Sequence, residues 1–99
     1  MIARVDFVAE CFWAGVTEQD VRAADERICS VVAELASSGE QVGYAGPLVM
    51  PTDEVVMYLF QGSEESVRLA AERADIPFNR IIPGSTYGGC RPLADTDGS

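Results

Sequence analysis

Val21, Ala24, Ile28, Val31, Val32 and Leu35 recur at steps of three and four residues, the spacing that gathers apolar side chains into one stripe of an α-helix. A helix that is apolar along one stripe must bury it against another layer. Thr17, followed by Glu18, Gln19 and Asp20, supplies a cap and the negative charge that favours a helix start. Ser37-Ser38-Gly39 supplies the stop. A second stripe, Val67, Ala70, Ala71 and Ala74, follows the cap Ser63 and carries Glu64 and Arg68 one turn apart, a favourable helical pair. Asp75-Ile76-Pro77 ends it, because the residue before a proline disfavours helical geometry.

Around these helices the period changes to two. From Ile2 to Phe12, Val5, Phe7, Ala9 and Cys11 fall on one side of an extended strand, and Arg4, Asp6, Val8, Glu10 and Phe12 on the other. Gln41 to Met50 is interrupted by Gly43, Gly46 and Pro47, as suits a kinked or edge strand. Glu54 to Phe60 is nearly continuous in apolar, β-favouring residues, as expected of a central strand covered on both faces. Phe78 to Ile82 make a short last strand.

The order strand, helix, strand, strand, helix, strand predicts an α+β fold of the ferredoxin-like type. Right-handed crossovers place both helices on one face of a four-stranded antiparallel sheet, with the first and third strands in the middle. Residues 1–83 form this domain. Residues 84–99, rich in turn formers and then polar, are expected to be a flexible tail that holds Cys90 beside Arg91 without a base or a resolving cysteine.

The helix-free face of the sheet is expected to carry Arg4, Asp6, Val8, Glu10 and Phe12 beside Val56, Tyr58 and Phe60, with Tyr44 and Met50 near the edge. Such a surface is too apolar to be merely wet, so it is a dimer interface, a ligand pocket or both. A domain within 99 residues gains disproportionately from covering a face with a second copy.

All seven cations are arginine, against sixteen carboxylates, for a formal net charge of −9. Nucleic acids and acidic membrane surfaces are excluded as main partners, because binding them rests on cations that neutralise phosphates. The three cysteines, Cys11, Cys29 and Cys90, form neither a disulfide framework nor a zinc-ligand pair. Cys11 and Cys29 read as small hydrophobes in the core and the first helix. With no secretory pattern at Met1 to Asp6 and no apolar run of the roughly 18 residues a membrane helix needs, the expected location is the cytoplasm.

Two functions from different classes fit these residues. One is an isomerase or cyclase that works without a cofactor on an apolar or aromatic substrate held against the open sheet face. Asp6 or Glu10 would move a proton, since burial beside apolar groups raises a carboxyl pKa toward neutrality, and Tyr58 would polarise an oxygen. Phe12, Trp13, Tyr44, Val56 and Phe60 would hold the substrate. Asp6 and Glu10 lie four residues apart on one strand face, on the order of 10 Å or more between carboxyls, so they do not by themselves form a metal site. The alternative is a non-catalytic dimeric protein that binds a small ligand or a metal ion with the same face.

Several segments carry a family resemblance: the strand ending in Glu10, the helix entry Gly-Val-Thr-Glu-Gln-Asp at Gly15 to Asp20, the join Tyr-Leu-Phe-Gln-Gly-Ser-Glu-Glu-Ser-Val-Arg at Tyr58 to Arg68, and Arg-Ala-Asp-Ile-Pro-Phe-Asn-Arg-Ile at Arg73 to Ile81. Over roughly residues 2–83 the chain resembles a family of small bacterial ferredoxin-like proteins, long known only as a domain of unknown function, that includes a nickel-binding member. The resemblance implies histidine ligands in the second strand and second helix, where this chain has Pro47 and Ala70. With no histidine in the chain, the resemblance carries the fold and not an imidazole metal site.

Overall fold

A computed structural model describes residues 4–86; Cys90 and most of the expected tail lie outside the described residues. The strands and helices follow the expected order: β1 (Phe7–Phe12), α1 (Glu18–Ser37), β2 (Val42–Met50), a single turn at Pro51–Asp53, β3 (Val55–Gly62), α2 (Glu64–Arg73) and β4 (Arg80–Pro83). The sheet is antiparallel with strand order β2-β3-β1-β4. The fold is therefore ferredoxin-like, with β1 and β3 central.

Local chemistry sets the helix ends. Thr17 Oγ1 accepts from the Asp20 backbone N–H at 3.1 Å while Asp20 Oδ2 accepts from the Thr17 N–H at 3.0 Å, a reciprocal pair that satisfies two amide donors at the start of α1. Ser63 does half of this for α2, accepting from the Ser66 N–H. Val21, Ala24, Ile28 and Leu35 of α1 are buried, and so are Val67, Ala70 and Ala71 of α2, with Ala74 just beyond its end. The small residues of α2 let its backbone approach the sheet closely. Cys29 departs from expectation: it is exposed on α1, because it follows the buried Ile28 by one residue and one helical step turns it away.

Strand register decides which side chains meet the helices. Opposite residues share a face, and Phe7, Ala9 and Cys11 oppose Phe60, Tyr58 and Val56. Those six belong to the helix side, where Ala9, Cys11, Val56, Tyr58 and Phe60 are all fully buried. β2 changes phase at a bulge between Tyr44 and Gly46, so Tyr44 faces the helices while Leu48 and Met50 face away. Gly62 ends β3 with φ 120°, and a Cβ there would sit 2.2 Å from the Gln41 carbonyl oxygen. Only glycine fits both the conformation and the space.

Candidate functional site: the helix-free sheet face

Three rows of side chains cross the face that, among the described residues, carries no helix. Leu48, Met57, Glu10 and Arg80 make the middle row; Leu59, Val8 and Ile82 lie on one side of it, and Met50, Val55 and Phe12 on the other. Phe12 is 59% exposed and Leu48 50%, whereas an apolar side chain with a packing partner is normally covered. Eight apolar side chains and one ion pair thus occupy this face, with Val8 and Val55 buried, Met50, Met57, Leu59 and Ile82 half-buried and Phe12 and Leu48 exposed, the kind of patch that marks a binding face.

The ion pair is asymmetric. Glu10, in the central strand β1, has a side chain only 8% exposed, while the Arg80 side chain on the edge strand is 62% exposed and donates from Nε to Glu10 Oε1 at 2.5 Å. Glu10 supports β4 through its backbone too, since its carbonyl accepts from the Asn79 N–H and the Asn79 side chain accepts from the Phe12 N–H at 2.7 Å. The Glu10 carboxylate also raises the Arg80 guanidinium pKa, which stays charged throughout.

The expected set Asp6, Glu10 and Tyr58 is not assembled. Tyr58 opposes Ala9 and lies on the helix side, fully buried, on the other side of the sheet from Glu10. Asp6 is used structurally: Oδ2 takes the Gly62 N–H at 2.8 Å and the Arg4 guanidinium at 3.0 Å, tying the chain ahead of β1 to the end of β3. Of the expected substrate-binding residues, Phe12 alone lies on the open face. Val56 and Phe60 are core, and Trp13 packs against the core cluster. Tyr44 donates its hydroxyl to Asp25 of α1 at 2.7 Å and stacks obliquely on Phe60, ring centroids 5.3 Å apart.

The physical reason for these corrections is that β3 is apolar on both faces, so its composition does not say which alternate set points to the helices. The residues missed were Leu48, Val55, Met57, Leu59, Ile82 and Arg80. Pairing β3 antiparallel with β1 so that Ala9 meets Tyr58 would have found Val55, Met57 and Leu59; the available signal was the strand end at Gly62, just before the Ser63 cap.

Among the described residues, the titratable groups buried on the helix side are not activated. Burial, followed by the nearby Glu10 charge, pushes the Cys11 thiol up to about 11, and burial, followed by Cys11, pushes Tyr58 up to about 12. Burial and the hydrogen bond to Asp25 raise Tyr44 as well. All three stay protonated at neutral pH. A cleft of about 510 Å³ opens elsewhere, between the first turn of α1 and the β2–β3 connection, walled by Val16, Val21, Val49 and Pro51. Its polar groups are engaged locally, Glu54 accepting from the Gly15 N–H and Glu18 pairing with Arg22. Among the described residues, no three His, Cys, Asp or Glu side chains cluster as metal ligands, and no helix is long and apolar enough to cross a membrane.

Fold and face together define a ferredoxin-like α+β protein whose second sheet face is apolar and, among the described residues, free of helices. The chain is similar in structure to SCO4226 from Streptomyces coelicolor A3(2), known from its crystal structure, with a TM-score of 0.62 and 22% identity over 80% of this chain and 91% of that one. At that identity the likeness concerns the fold. No protein-family model matches the chain, and no curated protein does.

Proposed function

We propose that this is a small-ligand-binding protein that takes an apolar or aromatic molecule on its open sheet face and pairs there with a second copy. The observation that carries the reading is the register: it gathers Val8, Phe12, Leu48, Met50, Val55, Met57, Leu59 and Ile82 on the face away from both helices. Charge supports self-pairing. Exposed Glu18, Glu26, Glu34, Glu64, Glu65 and Glu72 all lie on the helices, so two copies of a −9 chain meet with least repulsion sheet to sheet, where Arg80 compensates Glu10, the one carboxylate there among the described residues.

Size bounds the affinity. Four strands spaced about 4.8 Å apart, each offering about 20 Å of length, present a footprint of roughly 400 Å² per copy. That is about half of what each partner contributes to a standard stable interface, so the pairing is weak and a bound ligand strengthens it. Sedimentation velocity across a protein concentration series, with and without the neutral apolar dye phenylnaphthylamine, tests the reading. The expected result is a monomer–dimer equilibrium that dye shifts toward dimer and that Leu48→Asp abolishes together with dye binding. A monomer at all concentrations that leaves the dye dark overturns it.

A second reading, proton transfer by an isomerase or cyclase without a cofactor, is favoured by one observation: Glu10 is a carboxylate only 6% exposed amid an apolar face, the setting of a general base. In that reading Glu10 acts without Asp6 or Tyr58. Glu10→Gln would then retain dye binding while losing exchange of an acidic C–H proton of a bound carbonyl compound into deuterated water.

A further inference from the structure

The exposed end of the Glu10–Arg80 pair carries a further consequence, which rests on the ligand-binding reading above. We propose that the open sheet face selects an apolar or aromatic molecule bearing an acid group, a monocarboxylate in the simplest case, and that Arg80 is the residue that holds the acid. Among the described residues, Arg80 is the cation of this face, Arg73 lying on α2. Arg4 pairs with Asp6 ahead of β1, and Arg22 and Arg68 pair along their own helices with Glu18 and Glu64. Arg27 donates to the carbonyls of Ala74 and Asp75.

The geometry of the pair decides the sign of the ligand. Glu10 is the buried partner and Arg80 the exposed one, so a molecule lying on the face meets guanidinium rather than carboxylate. Arg80 uses Nε to reach Glu10, and among the described residues its two Nη groups make no hydrogen bond. Those Nη groups form the end of the guanidinium fork that matches a carboxylate with two parallel bonds. Glu10 holds the fork in place beforehand, which reduces the rotamer entropy lost on binding.

The rest of the middle row sets the length. Met57 lies two strands from Arg80 across Glu10, about 10 Å at sheet spacing, the reach of an aromatic ring with a short acid arm. Phe12, 59% exposed beside this row, supplies an aromatic wall for the ring. The overall charge of −9 works against anions in bulk, so selection for an acid depends on this single local contact.

The test compares two dyes with one apolar body, anilinonaphthalene sulfonate and the neutral phenylnaphthylamine, on the full chain by fluorescence titration. The expected result is that the sulfonate binds about tenfold more tightly, as one charge-assisted contact provides, and that phenylpropanoate displaces it while the corresponding amide does not. Arg80→Gln is expected to remove that tenfold preference and to leave the neutral dye within about twofold of its original affinity. The double variant Glu10→Gln with Arg80→Gln leaves no unpaired buried carboxylate, so it gives the same readout in a chain spared that penalty.

Equal affinity for both dyes, unchanged by Arg80→Gln, overturns the proposal and leaves the ligand-binding reading standing. Failure of both dyes to bind overturns that reading as well. A change in oligomeric state on Arg80→Gln, with the sulfonate preference intact, assigns the pair to the contact between copies and refutes its role in ligand choice.

Discussion

Tyr58 and Tyr44 stand on the same face of the sheet and should respond in opposite directions to the same substitution. Tyr58 is fully buried and, among the described residues, its hydroxyl has no hydrogen-bond partner; the Tyr44 hydroxyl donates to the Asp25 carboxylate at 2.7 Å. A buried hydroxyl left unpaired costs about 1–3 kcal/mol of lost hydration. Tyr58→Phe removes that cost and leaves a gap the size of one oxygen, roughly 15 Å³, which at about 24 cal/mol per Å³ returns only about 0.4 kcal/mol. The net expectation is a gain of about 0.6–2.6 kcal/mol, or about 4–8 °C in Tm for each kcal/mol in a domain of this size. Tyr44→Phe instead loses a hydrogen bond to a charged acceptor and should cost about 1.5–3 kcal/mol. Urea unfolding followed by circular dichroism reads both, with equal m values required for the comparison. Destabilisation by Tyr58→Phe of more than about 0.5 kcal/mol would refute the reasoning, since it would mean the hydroxyl is satisfied, by a buried water for instance.

Alkaline pH should unfold the protein through the same interior. Burial, then the Glu10 charge, lifts Cys11 from 9.0 to about 11, and burial, then Cys11, lifts Tyr58 from 10.0 to about 12. Because the unfolded groups release their protons first, these two groups add no pH dependence below pH 9 and each lowers stability by about 1.4 kcal/mol per pH unit, Cys11 between pH 9 and about 11 and Tyr58 between pH 10 and about 12. A urea midpoint unchanged between pH 9 and 12 would contradict this. Gly62→Ala should cost well over 1 kcal/mol, because a Cβ there adds a backbone clash to a conformation disfavoured for L-residues; a calorimetric Tm within about 2 °C of the parent would show that β3 ends differently. Thr17→Ala should cost about 0.5–2 kcal/mol by removing the oxygen that caps α1, and a loss below about 0.3 kcal/mol in urea would mean that water replaces the cap without penalty.

The helices, their caps and the strand order were legible because each rests on a signal with one physical interpretation. A stripe such as Val21, Ala24, Ile28 and Leu35 has helical period and no other, and Thr17 with Asp20 marks a start wherever that stripe begins. β1 was legible for the same reason, its alternation separating Ala9 and Cys11 from Val8 and Glu10. β3 was not. Val55 through Phe60 is apolar at every position, so both faces read alike, and a slip of one residue exchanges Tyr58 with Met57 between core and surface. β2 compounds this, since the bulge after Tyr44 reverses its alternation halfway along. The candidate site therefore failed where composition is symmetric about the sheet. Glu10 and Phe12 were assigned to the correct strand and Asp6 to a strand that begins only after it, at Phe7, while the partners on β3 were assigned to the wrong side of the sheet.

That failure also bears on how charge is read. A net charge of −9 suggests cationic or metal ligands when averaged over the chain, but a ligand meets a face and not an average. The carboxylates of α1 and α2 project from the opposite layer, and at the screening length of about 8 Å in physiological salt they act weakly across a sheet and a helix layer roughly 10 Å thick. On the helix-free face the local balance is one buried acid and one exposed base. β4 is four residues long, too short for its alternation to show that Arg80 stands opposite Glu10, and without that pairing the sign of the face cannot be inferred. The residue that decides it lies on the edge strand, 70 positions along the chain from the carboxylate that orients it.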